Sequence, residues 1–161
     1  VSTKVIGMTG EKGFEKLRVL LSERTVPEKG EALVGPKGYI GRVESTVNEY
    51  ALVELINQES TRLGAMGLRT GELGLVSWSD ELESIVFVPE KSVTELRDGD
   101  EIVTSGLKGS TLLSRIPIGK VVRLDRNRFG EEVAVIKLNQ STDGIQHAVL
   151  LQNVKHDDWV E

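Results

Sequence analysis

The chain has no cysteine, which excludes a disulfide framework and any metal centre built on thiolates. That absence leaves the compartment open, because a protein outside the cytoplasm needs no disulfides when its core is large enough. Long apolar runs are missing too. The longest, such as Ile85-Val86-Phe87-Val88, span a few residues, far short of the roughly 18 to 20 that a membrane helix needs. There is no excess of positive charge: 25 acidic against 20 basic residues give a net charge of −5, whereas a general nucleic-acid binder presents a basic face. Alanine is scarce, with 5 residues against 20 Val, 9 Ile and 10 Thr. Side chains branched at Cβ are stiff at the first torsion and suit a pleated surface better than a helix. At 39% hydrophobic and 28% charged, the composition is that of a folded chain rather than a disordered one. It opens on Val1 with neither Met nor an apolar leader, so an excised or processed piece of a longer protein is expected.

Alternation bounded by Gly, Pro, Asn and Asp marks about twelve short strands. They fall into two similar sets, although no internal repeat is strong enough to align residue by residue. The first set runs Lys4 to Gly7, Leu17 to Ser22, Glu31 to Val34, Tyr39 to Ser45 and Tyr50 to Ile56. The second runs Leu63 to Leu68, Leu73 to Trp78, Ser84 to Val88, Glu101 to Thr104, Ile118 to Leu124 and Glu132 to Leu138, and His147 to Leu151 is left over. If each set closes into a barrel of six strands, the last strand returns to the first. The expectation is an all-β fold of two small six-stranded β-barrels, the second inserted in the first, with units 1–59 plus 144–161 and 60–143; a contiguous split near residue 60 is the alternative. Residues 11–15, Glu15 to Leu21 and Asn48 to Ser60 also fit helical spacing.

Several chemical readings can be weighed on spacing. Gly35-Pro36-Lys37-Gly38-Tyr39-Ile40-Gly41 has the glycine density of a phosphate loop, but a strand pattern follows where such a loop needs a helix N-terminus. The segment reads instead as a tight hairpin turn. Ser105 lies in a Gly-containing turn, yet Val103 stands where a nucleophile elbow requires Gly, and the only histidines, His147 and His156, are near the C-terminus. Asp98, Asp100 and Glu101 are close in sequence, but adjacent strand side chains point to opposite faces, so turn and solvent roles are expected rather than metal binding. Trp78 and Phe87, two of few aromatics in a chain with only 4%, are expected to anchor the second core. Leu112, Leu113 and Ile116 read as apolar loop residues: either they tuck under the barrel or they form an interface.

Two stretches carry a resemblance. The first is Gly99-Asp100-Glu101-Ile102-Val103-Thr104-Ser105-Gly106-Leu107-Lys108-Gly109, followed by Ile116-Pro117-Ile118-Gly119-Lys120-Val121. The second is the hairpin Gly30-Glu31-Ala32-Leu33-Val34 with Gly38-Tyr39-Ile40-Gly41-Arg42-Val43. In this order and spacing they resemble the rod shape-determining MreC family, which is marked by G-D-x-V-x-T-S-G-L-x-G, then I-P-V-G-x-V, with G-L-V-G-R-V upstream. This chain departs at Ser110 to Ile116, where the family commonly has a shorter loop. The resemblance implies Gly99, Asp100, Thr104, Ser105, Gly106, Gly109, Pro117 and Gly119 as a structural turn, and Gly30, Gly38, Gly41 and Arg42 as a hairpin. It also implies a non-catalytic scaffold of cell elongation outside the cytoplasmic membrane, anchored by an N-terminal helix absent from this chain. The implied partners are a class B penicillin-binding transpeptidase and its glycosyltransferase, MreD, MreB and further copies of itself, with no cofactor, metal or nucleic acid. The other reading is a periplasmic adaptor of a transport or secretion system, which predicts a long helical hairpin.

Overall fold

The computed structural model describes residues 2–9, 16–21, 27–105, 114–141 and 147–151. Twelve strands account for nearly all regular structure there: β1 Ser2–Thr9, β2 Lys16–Leu20, β3 Ala32–Gly35, β4 Gly38–Val47, β5 Tyr50–Leu55, β6 Arg62–Gly67, β7 Leu73–Ser79, β8 Ser84–Pro89, β9 Glu101–Ser105, β10 Ser114–Arg126, β11 Glu132–Leu138 and β12 His147–Leu151. They close into two barrels, in the orders β1-β12-β3-β4-β5-β2 and β10-β11-β8-β7-β6-β9. The strands of the second barrel all fall between β5 and β12 of the first. Among the described residues every strand has a neighbour on both sides, which removes open edges, and β12 completes the first barrel by pairing with both β1 and β3.

Period-two burial builds each core. In the first barrel Leu17, Val19, Leu33, Ile40, Val43, Val53, Leu55 and Leu150 point inward. In the second, Val76, Phe87, Ile102, Ile118, Val121 and Ile136 do so, and the same cluster continues into the first barrel through Ala32, Tyr39 and Ile56. The two barrels therefore share one continuous apolar contact. Outside the second barrel, Val86, Val133 and Val135 form a further buried cluster under Leu82 and Val88, so β8 and β11 are covered on both faces.

The segments with helical spacing at Glu15 to Leu21 and Asn48 to Ser60 contain β2 and β5 instead. β5 pairs with β2 and β4 on its two sides, and Ala51, Val53 and Leu55 take the inward positions. Residues 11–15 lie outside the described residues. β10 begins at Ser114, earlier than alternation suggests, because its register against β9 shifts twice between Ser114 and Gly119 and Arg115 adopts a positive φ of 61°. A bulged strand loses the regular alternation by which a strand is read.

A residue-by-residue repeat does exist, in backbone hydrogen bonds. Gly30 and Gly99 have φ values of 95° and 90°. Gly30 N–H donates to the Val43 carbonyl at 2.8 Å, and Gly99 N–H to the Val121 carbonyl at 2.8 Å. Val43 N–H in turn donates to the Glu31 carbonyl at 2.8 Å, and Val121 N–H to that of Asp100 at 2.9 Å. Leu33 stands opposite Gly41 as Ile102 stands opposite Gly119. Bulges follow at matching places, between Val43 and Ser45 and between Val121 and Arg123. Ile40-Gly41-Arg42-Val43 and Ile118-Gly119-Lys120-Val121 are thus the same corner built twice, once in each barrel.

Candidate functional site

The two motif stretches meet where the barrels join, with β4 packed against β10. The turn Gly35-Pro36-Lys37-Gly38 caps this junction. Lys37 N–H donates to Gln140 Oε1 at 2.8 Å, and the Gln140 side chain also lies over Gly35, where a Cβ would come within 2.6 Å of Oε1. A Cβ on Gly38 would collide with the Pro117 carbonyl oxygen. Gly41 and Gly119 make room for neighbouring backbone in the same way, at the carbonyls of Glu54 and Lys137 respectively. Glycine is needed at these positions because backbone atoms, unlike side-chain ends, cannot move aside cheaply. Arg42 on β4 pairs with Glu54 on β5 at 3.3 Å. Beside it burial pushes the Tyr39 phenol well above its ordinary pKa, so the ring stays neutral in the junction.

The Gly99–Asp100 turn is held by a group that sequence reading missed. Asp100 is buried and accepts both Arg69 Nε, at 2.9 Å, and Arg69 Nη2, at 2.8 Å. It also accepts the Arg97 N–H at 2.9 Å. The guanidinium holds the Asp100 carboxyl below the usual carboxylate range, with the Arg97 N–H acting in the same direction and burial opposing. The expected solvent role of Asp100 is therefore corrected: a bidentate partner two strands back makes burial tolerable. Asp98 and Glu101 remain exposed, so the three carboxylates do not converge. With its pKa lowered in the fold, Asp100 contributes stability that is complete above the unfolded value of about 4 and is lost as pH falls through the lower folded value. Asp100→Asn should be less stable near pH 7, and its urea midpoint should depend less on pH on the acid side; an unchanged pH profile would remove Asp100 from the acid response.

Thr104 is also buried, and its Oγ1 accepts the Ile116 N–H at 2.9 Å, pinning β10 to β9 where the register slips. Ser105 Oγ, beside it, is buried without a hydrogen-bond partner among the described residues. Ser105 belongs to β9 of the second barrel and His147 to β12 of the first. Ile116, expected in a loop and offered as a candidate interface residue, instead lies on β10 at 8% exposure within the shared core; strand pairing with β9 draws it inward. Leu112, Leu113, Gly106, Gly109 and His156 lie outside the described residues. Phe87 is fully buried, and Trp78 packs half-buried against the same core with its indole N–H on Asp80 Oδ1 at 2.8 Å.

Residues 5–152 match the family described as rod shape-determining protein MreC, barrel core. The chain belongs to the MreC family. Solved structures agree on the fold. MreC of Listeria monocytogenes is 20% identical, with a TM-score of 0.81 over 95% of this chain and 75% of that one. A structure described as the major periplasmic domain from the cell shape-determining filament MreC is 16% identical, with a TM-score of 0.77 over 96% and 95%. MreC in a complex with penicillin-binding protein (PBP2) from Helicobacter pylori is 18% identical, with a TM-score of 0.66 over 92% and 95%. None of the curated proteins compared matches the chain. In this chain the Gly38–Pro117 contact gives the two motif stretches a common role: each supplies one side of the barrel junction. Gln140, the third participant, sits in the polar run Asn139-Gln140-Ser141, which carries no signal beyond that of an ordinary loop.

Proposed function

We propose that this protein is a non-catalytic scaffold of the bacterial cell-elongation machinery, outside the cytoplasmic membrane, that binds and positions a class B penicillin-binding transpeptidase and so directs lateral peptidoglycan synthesis and rod shape. The observation that carries this is the family match across 5–152. The relative in complex with a penicillin-binding protein and the one described as a periplasmic domain support the partner and the location. The junction suits the role mechanically. A continuous core, a hairpin seated on backbone and a side chain closing the turn hold the barrels in one orientation, and a preorganised surface loses less entropy when it binds. The glycosyltransferase, MreD, MreB and self-association are proposed as further contacts, and an N-terminal helix as the anchor of the longer protein. The units are taken as 1–59 plus 144–161 and 60–143, a division supported by the barrel membership of the strands. The motif glycines with Asp100, Thr104, Pro117 and Arg42 are proposed as framework residues that shape the binding surface from within.

The adaptor alternative predicts a long helical hairpin, and no helix occurs among the described residues. The test is biolayer interferometry of the immobilised protein against the purified periplasmic region of a class B transpeptidase from the same organism. Saturable binding with a Kd of about micromolar order is expected, as for transient interfaces. Equal signals from the transpeptidase and an unrelated periplasmic enzyme would overturn the reading.

A further inference from the structure

An open groove of about 570 Å³ lies on the second barrel between the turn joining β6 to β7 and the connection from β8 to β9. Its apolar part is Leu73, Pro89 and Val93, with Leu73 36% and Val93 66% exposed. Its charge is one-sided: Glu72, Glu90 and Glu95 line it against a single base, Lys91. None of these four takes part in the ion pairs found among the described residues. Glu72 is held in place by neutral donors, the Thr94 hydroxyl at 2.7 Å and the Glu95 N–H at 2.8 Å, which orient its charge without cancelling it. The nearby guanidinium of Arg69 is committed to Asp100 and to the Glu95 carbonyl. Glu132, which accepts the Thr94 N–H at 3.0 Å behind the wall, is itself paired with Arg126 at 3.8 Å and adds no free charge. Arg69 also attracts the Glu95 and Glu72 carboxylates, though less than Asp100, and no three carboxylates among the described residues are placed to hold a metal ion, so the remaining net negative charge is spread along the groove rather than focused at a point.

We infer that this groove docks a basic segment of a partner protein, one apolar side chain resting on Leu73, Pro89 and Val93 while a flanking Lys or Arg reaches Glu72, Glu90 and Glu95. Covering Val93 and Leu73 supplies the apolar gain, and the carboxylates select the sign of the partner and speed its encounter. An acidic segment of the same apolar content is rejected, because it would bring like charges together on a partly desolvated rim. This contact is independent of the transpeptidase reading.

The test is titration of the isotopically labelled protein, followed by amide chemical shifts, with an acetylated peptide of alternating Leu and Lys and with its Leu and Glu counterpart. The expected result is saturable shifts confined to residues 70–73 and 89–95 with the Lys peptide alone. Binding should weaken roughly tenfold or more in Glu90→Lys/Glu95→Lys, two exposed positions, and tighten in Lys91→Glu, as complementary charge requires. Thermal melting of both variants checks that they remain folded, and their opposite shifts in affinity separate charge from damage. Absence of saturable shifts, shifts elsewhere, equal binding of the Glu peptide or indifference to both variants would overturn the inference. So would a change confined to self-association in sedimentation, which would make the groove a contact between copies.

Discussion

Gly38→Val is expected to destabilise the protein by about 2 to 5 kcal/mol, the sum of overpacking and backbone strain. Both costs arise from the same place. Gly38 has a φ of 146°, which side-chain-bearing residues adopt poorly, and a Cβ there meets the Pro117 carbonyl oxygen. Neither side can yield locally, since Gly38 is paired with Gly35 in the hairpin and Pro117 with Val103 in the bulge. The remaining escape is for the hairpin to lift off the second barrel, which breaks the Lys37–Gln140 hydrogen bond and opens the shared core around Tyr39 and Ile118. Urea unfolding should show a lower midpoint, and hydrogen exchange should show the Lys37 amide losing protection before amides inside either barrel. Lys37→Ala, which keeps the amide and removes only an exposed side chain, is the control and should stay within about 0.5 kcal/mol. A wild-type midpoint for Gly38→Val would mean that the junction is loose and that the rigid-scaffold argument fails.

Phe87→Ala should cost about 3 to 5 kcal/mol, the range for emptying a large aromatic site in a core. Phe87 has no exposed surface and lies against Gly74 so closely that a Cβ there would be 2.6 Å from its Cζ. Its neighbours belong to closed strands and cannot collapse far into the hole. Gly74→Ala cannot refill it, because the new methyl would also meet the Val88 carbonyl. Against a usual total of about 5 to 15 kcal/mol for a folded domain, such a loss should leave the second barrel partly unfolded at moderate temperature. Phe129→Ala is the contrast: at 72% exposure on the hairpin tip, its removal should change the melting midpoint little. Comparable losses in both variants would place the second core elsewhere.

How far the fold was legible depends on the range of the interaction that decides each part. The Gly35-Pro36-Lys37-Gly38 turn needed only local chemistry, Pro setting φ and Gly accepting a positive one. β5 was ambiguous because Ala51, Leu52, Leu55 and Ile56 satisfy helical spacing as well as Ala51, Val53 and Leu55 satisfy alternation; pairing with β2 and β4 made it a strand. The start of β10 and the inward turn of Ile116 were hidden by a bulge and by the positive φ of Arg115. The repeated corner was obscured because its two halves, Gly30-Glu31 with Ile40-Gly41-Arg42-Val43 and Gly99-Asp100 with Ile118-Gly119-Lys120-Val121, are separated by a longer stretch of chain in the second barrel, which breaks a residue-by-residue alignment.

Composition, alternation and strand counting by themselves determined an all-β chain of about twelve short strands, pointed to two six-stranded barrels with a contiguous split as the alternative to insertion, and the paired motifs pointed to its family. These follow from properties of single residues and their near neighbours: stiffness at Cβ, a side-chain period of two, and the special torsions of Gly and Pro. Tertiary structure alone decided that Arg69 buries Asp100, that Gln140 closes the upstream hairpin and that Gly38 rests on Pro117. Each of these joins residues far apart in the chain, and such contacts are set by how closed barrels pack rather than by any local pattern.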